Sequence, residues 1–98
     1  MALEIYWSKQ ADKKFDLIIE YLRLEWGESS IKIFVKKVYD FLDTIKELPE
    51  IGTIENNDLN IRGFVIFKQV TLFYQIRVNK IILINFYDNR QKPKKKKY

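Results

Sequence analysis

The spacing of apolar residues in this chain changes once, at Pro49-Glu50-Ile51-Gly52, and that change constrains the fold more than any other feature. Before it, apolar side chains recur every three or four residues. Ala11, Phe15, Ile18, Leu22 and Trp26, widened by Ile19, make one stripe, and charged residues fill most of the gaps between them. Ile31, Phe34, Val35, Val38, Phe41, Leu42, Ile45 and Leu48 make a second. Stripes of that period predict two amphipathic helices sharing one core. Ser8 offers the first helix an N-cap, Gly27 ends it, and Ser29 or Ser30 is placed to cap the second. Pro49 stops the second, because a proline disfavours helical geometry in the residue before it. Helices joined by so few residues pack antiparallel as a hairpin.

After a polar connector running from Pro49 to Asp58 the period falls to two. Residues 60–67, 70–76 and 80–87 read as three strands, and the short links Lys68-Gln69 and Arg77-Val78-Asn79 force antiparallel hairpins. Leu3, Ile5 and Trp7 alternate with Glu4 and Tyr6 and predict a short first strand. The reading is an α+β domain of order β-α-α-β-β-β, a helical hairpin packed on one face of an antiparallel sheet. With 98 residues there is room for one domain, placed at 1–91, and a basic, flexible tail at 92–98.

Composition narrows the chemistry. The chain has no Cys and no His. Disulfides and thiolate metal sites are excluded, a zinc site is not expected, and neither is any cofactor. Any chemistry falls to Arg, Lys, Tyr and carboxylates. The formal charge of +5 comes entirely from the tail, because residues 92–98 hold five lysines and no acid while residues 1–91 balance 13 basic against 13 acidic side chains. Such a tail attracts nucleic acid, acidic protein or anionic lipid without reading sequence; the competing reading is a solvated segment that aids solubility. No apolar run approaches the roughly 20 residues of a membrane span. The start Met1-Ala2-Leu3-Glu4 lacks the pattern of a signal peptide, so a cytoplasmic, membrane-free protein is expected.

The richest stretch for function follows Ile81-Ile82-Leu83-Ile84, where a buried strand runs into Asn85-Phe86-Tyr87-Asp88-Asn89-Arg90-Gln91. Tyr87, Asp88, Asn89, Arg90 and Gln91 are candidates for a binding or catalytic surface, together with Arg62 beside Gly63. Each has a plainer role open to it. Arg90 suits a phosphate or an acidic partner, or a salt bridge to Asp88. Asp88 and Asn89 suit an Asx-type turn ending the strand. Tyr87 suits base stacking or a half-buried sheet position. Alternation puts Arg62 on the face opposite Ile61, where it serves a site or an ion pair with a helix. Phe73 and Tyr74 read as packing residues, and Trp7 and Trp26 as core or hairpin packing. A general nucleic-acid-binding module is disfavoured, since the aromatics lie in the apolar runs and the basic excess is confined to the tail.

The ordered set Ile5-Tyr6-Trp7-Ser8, Ala11, Tyr21, Gly27, Phe34, Val38, Leu48-Pro49-Glu50-Ile51-Gly52, Ile61-Arg62, Phe73-Tyr74-Gln75-Ile76, Ile81-Ile82-Leu83-Ile84 and Phe86 to Pro93 resembles the RelE/ParE superfamily of type II toxin–antitoxin toxins over about residues 3–93. The resemblance implies a growth inhibitor neutralised by a cognate antitoxin protein that wraps it. It implies one of two targets: DNA gyrase, inhibited by binding in ParE-like members, or ribosome-bound mRNA, cleaved by RelE-like members. Cleavage requires a base, cations for the phosphorane and an acid. RelE-like members often carry an Arg three residues before the Tyr of the middle strand, and that place is Thr71 here. The match is then Arg90, Arg62 and Tyr87 at best, with Tyr98 eight residues past Arg90 and not expected to be held. The ParE-like reading is preferred, with mRNA cleavage on the ribosome as the alternative and another target or an inactive relative also open.

Overall fold

The computed structural model describes residues 3–90 and 98. Strand β1 (Glu4–Trp7) leads into helices α1 (Lys9–Glu25) and α2 (Glu28–Glu47). A single 3-10 turn, Pro49–Ile51, then opens onto β2 (Thr53–Asn56), β3 (Ile61–Phe67), β4 (Val70–Ile76) and β5 (Lys80–Asp88). The five strands form one sheet in the order β1-β5-β4-β3-β2. The α+β class and the helical hairpin stand as read from sequence. The order gains a strand, however, and becomes β-α-α-β-β-β-β.

Three details depart from the sequence reading. The added strand, β2, lies within what reads as connector. It is an edge strand of four residues with one apolar side chain, Ile54, and so carries no alternation to detect. The sheet is not wholly antiparallel, because β1 pairs parallel with β5, Ile5 opposite Ile81 and Trp7 opposite Leu83. The helical hairpin supplies the long crossover that a parallel return requires. Helix α2 starts at Glu28 with no side-chain cap, so neither Ser29 nor Ser30 caps it. Gly27, at φ +91°, makes the sharp turn between helices, and the N–H groups of Trp26 and Gly27 both close on the Leu22 carbonyl. Gln91 and the lysines of the tail lie outside the described residues, as does Met1-Ala2.

The helices cover one face of the sheet. Phe86 of β5 sits among Trp7, Phe15 and Phe34 with ring centroids 5.7, 5.5 and 6.4 Å away, and Phe41 stacks on Phe64 at 4.4 Å. Burying each such side chain contributes about 1.5–3 kcal/mol. Leu83 and Phe86 both face this core although they are three apart. The sheet accommodates them with a bulge: Phe73 pairs with Asn85 and Tyr74 with Leu83, leaving Ile84 extra. Ser8 ties the bulge to α1. Its hydroxyl donates to the Ile84 carbonyl at 2.9 Å and accepts the Ala11 N–H at 3.0 Å, so one side chain caps the helix and satisfies the bulged strand. Among the described residues no helix is long and apolar enough to cross a membrane.

Replacing Ser8 with Ala removes both bonds. The expected loss is about 1–2 kcal/mol of stability. That is a drop in Tm of roughly 5–10 °C for a domain of this size. Thermal unfolding followed by far-UV circular dichroism checks it; an unchanged Tm would mean that the bulge does not depend on this serine.

Candidate functional site

The site grows from the parity of β5. Phe86 faces the helices, so Asp88 two residues on shares that side and Tyr87 faces away. The Arg90 N–H closes on Asp88 Oδ1 at 2.9 Å, which makes the Asx turn that ends the strand. The same carboxylate receives the guanidinium through two groups, Arg90 Nε to Oδ1 at 3.0 Å and Arg90 Nη2 to Oδ2 at 2.6 Å. That clamp lays the guanidinium 4.8 Å above the ring of Tyr21 on α1. The arginine donor bonds draw Asp88 below the usual carboxylate range, against the upward push of its partial burial, and the carboxylate in turn raises Arg90, with Tyr21 the second contributor.

Asp88, Arg90 and Tyr21 stand at one end of an open groove of about 390 Å³ between α1 and the β3–β4 turn. Leu17 and Trp26 wall it, each about half exposed, and Val70 and Phe86 lie at its base. At the other end Lys68 places its ammonium 4.3 Å from the Trp26 ring. Lys68 holds φ +48°, a left-handed conformation that a lysine rarely adopts and that fixes the direction of the turn. With Lys14 also on the rim, three cations among the described residues face one acid around an apolar floor. Trp26 is thus no core residue, despite its place in the helical stripe. Lys68 and Tyr21 carry no site signal in the sequence beyond their types; what joins them to Arg90 is the packing of α1 across the strand ends.

The remaining candidates point elsewhere. Arg62 lies on the helix side of β3, with its side chain only 14% exposed, and donates from Nη1 to the carbonyls of Glu50 at 3.0 Å and Gly52 at 2.8 Å. Its carboxylate neighbour is Glu50, at 3.6 Å in the 3-10 turn rather than in a helix. Tyr74 completes that lock: its buried hydroxyl accepts the Gly52 N–H at 3.0 Å and donates to the Pro49 carbonyl at 2.7 Å. Tyr87 is 3% exposed on the opposite face of the sheet, edge-on to Phe73. Thr71 is on that face too, and its hydroxyl accepts from Asn89 Nδ2 at 2.7 Å. Asp88 and Arg90 therefore stand together on the helix side, Asn89 turns to Thr71 on the outer face that Tyr87 also occupies, and Arg62 is engaged at the 3-10 turn. Gln91 lies outside the described residues.

A sequence model of the ParE toxin of the type II toxin–antitoxin system parDE matches residues 5–93. The chain belongs to the ParE toxin family. No curated protein matches the sequence. Three solved structures share the fold. A chromosomal ParDE toxin–antitoxin system from P. aeruginosa superposes with a TM-score of 0.70 at 11% identity, covering 87% of this chain and 94% of that one. A YoeB dimer from Staphylococcus aureus gives 0.58 at 23% identity over 87% and 94%, and a YoeB–YefM complex from the same organism 0.56 at 23% over 88% and 95%. As a ParE-family chain this protein is the toxin of a type II toxin–antitoxin pair, and its described strand end and groove fall inside the matched residues.

The Asp88–Arg90 clamp gives a pH signature. A carboxyl whose folded pKa is depressed contributes stability that is present above the unfolded value, near 4, and lost as pH falls through the folded value. The Asp88 carboxyl carbon, followed by NMR, should titrate below the ordinary aspartate range and return toward it in Arg90→Gln. A normal midpoint in the unmodified protein would mean that the clamp does not form in solution.

Proposed function

We propose that this toxin arrests growth by binding DNA gyrase, not by cutting RNA, and that its cognate antitoxin neutralises it by covering the groove between α1 and the β3–β4 turn. The observation that carries the reading is the divergence of the three side chains that best match an RNA-cleaving site. Arg62 is committed to backbone carbonyls of the 3-10 turn, Arg90 to Asp88 and Tyr21, and Tyr87 faces the other side of the sheet. Stabilising a phosphorane takes cations aimed at one point, within hydrogen-bond reach of the reacting oxygens. Thr71 stands where a cation would serve that purpose on the outer face, and its hydroxyl already accepts from Asn89.

A binding mechanism asks less. It needs exposed anchors of the types that dominate interface energetics, and Trp, Tyr and Arg are those types. Trp26, Tyr21 and Arg90 meet that description within one groove. The rim of Lys14, Lys68 and Arg90 against Asp88 favours a partner segment that is apolar on one side and acidic on the other.

Two assays on one preparation test this. The purified protein should inhibit gyrase supercoiling, and primer extension on mRNA translated in its presence should show no new cuts. Trp26→Ala should weaken antitoxin binding by about 2 kcal/mol or more, the loss typical of a buried aromatic anchor. Cuts at codons in the ribosomal A site with supercoiling untouched would replace the gyrase reading with the endonuclease one.

A further inference from the structure

The face of the sheet turned away from the helices carries a second piece of construction that the groove does not use. Phe73 lies there at 2% exposed, outside the helix-side core. Its ring rests against the backbone of β3 because residue 63 is glycine: a Cβ at that position would come within 2.8 Å of Phe73 Cε1. Tyr98 meets this ring edge-on, 5.9 Å between centroids at 62°. The Tyr98 hydroxyl accepts a hydrogen bond from Asn56 Nδ2 at 3.2 Å. The sequence predicts no hold on a tyrosine eight residues past the end of the Asx turn, yet Tyr98 has a seat with an aromatic wall and a polar anchor.

The anchor is oriented in advance. Asn56 Oδ1 accepts the Leu59 N–H at 3.0 Å, which turns the amide nitrogen outward to the phenol. Asn56 reaches this face only through a bulge in β2, where Ile54 pairs with Arg62 and Asn56 with Ile61, with Glu55 extra between them. Without that extra residue Asn56 would point to the opposite face. Gly63, the bulge and the β2–β3 turn thus converge on one small site.

We propose that Phe73, Gly63 and Asn56 form a notch for a tyrosine side chain, that the chain's own Tyr98 fills it, and that a protein segment presenting a tyrosine to this face must first expel Tyr98. One edge-on aromatic pair and one hydrogen bond favour the filled state by roughly tenfold. Because Tyr98 belongs to the same chain as the notch it competes intramolecularly, at an effective concentration on the order of millimolar, so a competitor held by further contacts displaces it and a lone one does not. The notch acts as a self-occupied threshold on the outer face, separate from the groove on the helix side and independent of which cellular target the toxin attacks.

The test uses the full 98-residue chain, labelled with 15N, as unmodified protein, Tyr98→Ala and Tyr98→Phe. A synthetic peptide of residues 91–98 is the probe, and the same peptide with Ala for Tyr98 is its control. Tyr98→Ala should shift the Asn56 side-chain amide and the backbone amides of Phe73 and Gly63 while the α1 and α2 signals stay in place. Tyr98→Phe should shift the Asn56 side-chain amide and leave Phe73 near its original position. The peptide at millimolar concentration should move the Tyr98→Ala spectrum back toward the unmodified one, and should act at least tenfold more weakly on the unmodified protein; the control peptide should do neither. Identical peptide responses in the two proteins, or no change at Asn56 and Phe73 on removing the tyrosine, would overturn the proposal.

Discussion

The position of the Phe86 ring decides which side of the sheet each residue at the end of β5 faces. Wedged among Trp7, Phe15 and Phe34, it cannot turn outward without opening the centre of the core. Period-two alternation does the rest: Asp88 falls beside α1 and Tyr87 falls away from it. The bulge at Ile84 is the cost of keeping Leu83 and Phe86 on the same side, and Ser8 holds the bulged carbonyl while starting α1. The strand end that carries the candidate residues is therefore positioned from within the core. The groove inherits its geometry from the same packing, because α1 supplies Tyr21 and Trp26 and β5 supplies Asp88 and Arg90.

That arrangement separates the candidate residues into three groups with different work. Arg62 and Tyr74 fasten the 3-10 turn after α2 to the middle of the sheet through the carbonyls of Pro49, Glu50 and Gly52 and the buried Gly52 N–H. Tyr87, Phe73, Gly63 and Asn56 shape the outer face. Asp88, Arg90, Tyr21, Trp26 and Lys68 shape the groove. Among these groups of described residues the last combines exposed apolar surface with unbalanced charge, and the proposed recognition surface rests on that combination.

Much of this was legible in the chain. The helical stripes, the period-two strands and the tight links located α1, α2, β3, β4 and β5 to within about a residue or two. The Asx turn at Asp88 follows from residue type and position, and so does the parity of Arg62. Other features depend on contacts that no local pattern records. The strand β2 has no alternation because it is an edge with Thr, Glu and Asn at three of its four positions. Trp26 keeps the helical spacing but sits at the end of α1, past the residues the sheet covers, so periodicity overstated its burial. Arg62 found backbone carbonyls of a one-turn helix where an acidic side chain on α1 or α2 was the natural guess. The parallel return of β1 beside β5 depends on the whole hairpin, and the seat of Tyr98 depends on a bulge two strands away.

The central claim is that recognition takes place in the groove on the helix side, and the chain's two tryptophans offer a direct reading of it. Trp7 is packed in the aromatic core, and Trp26 is 52% exposed beside Lys68. In toxin labelled with 5-fluorotryptophan the two give separate 19F signals, and the Trp26 signal responds to solvent exchange from H2O to D2O. On saturation with the cognate antitoxin the Trp26 signal should move and lose that solvent response, while the Trp7 signal stays where it is. A saturated complex in which Trp26 keeps its free-state shift and its solvent response would place recognition elsewhere and contradict the account.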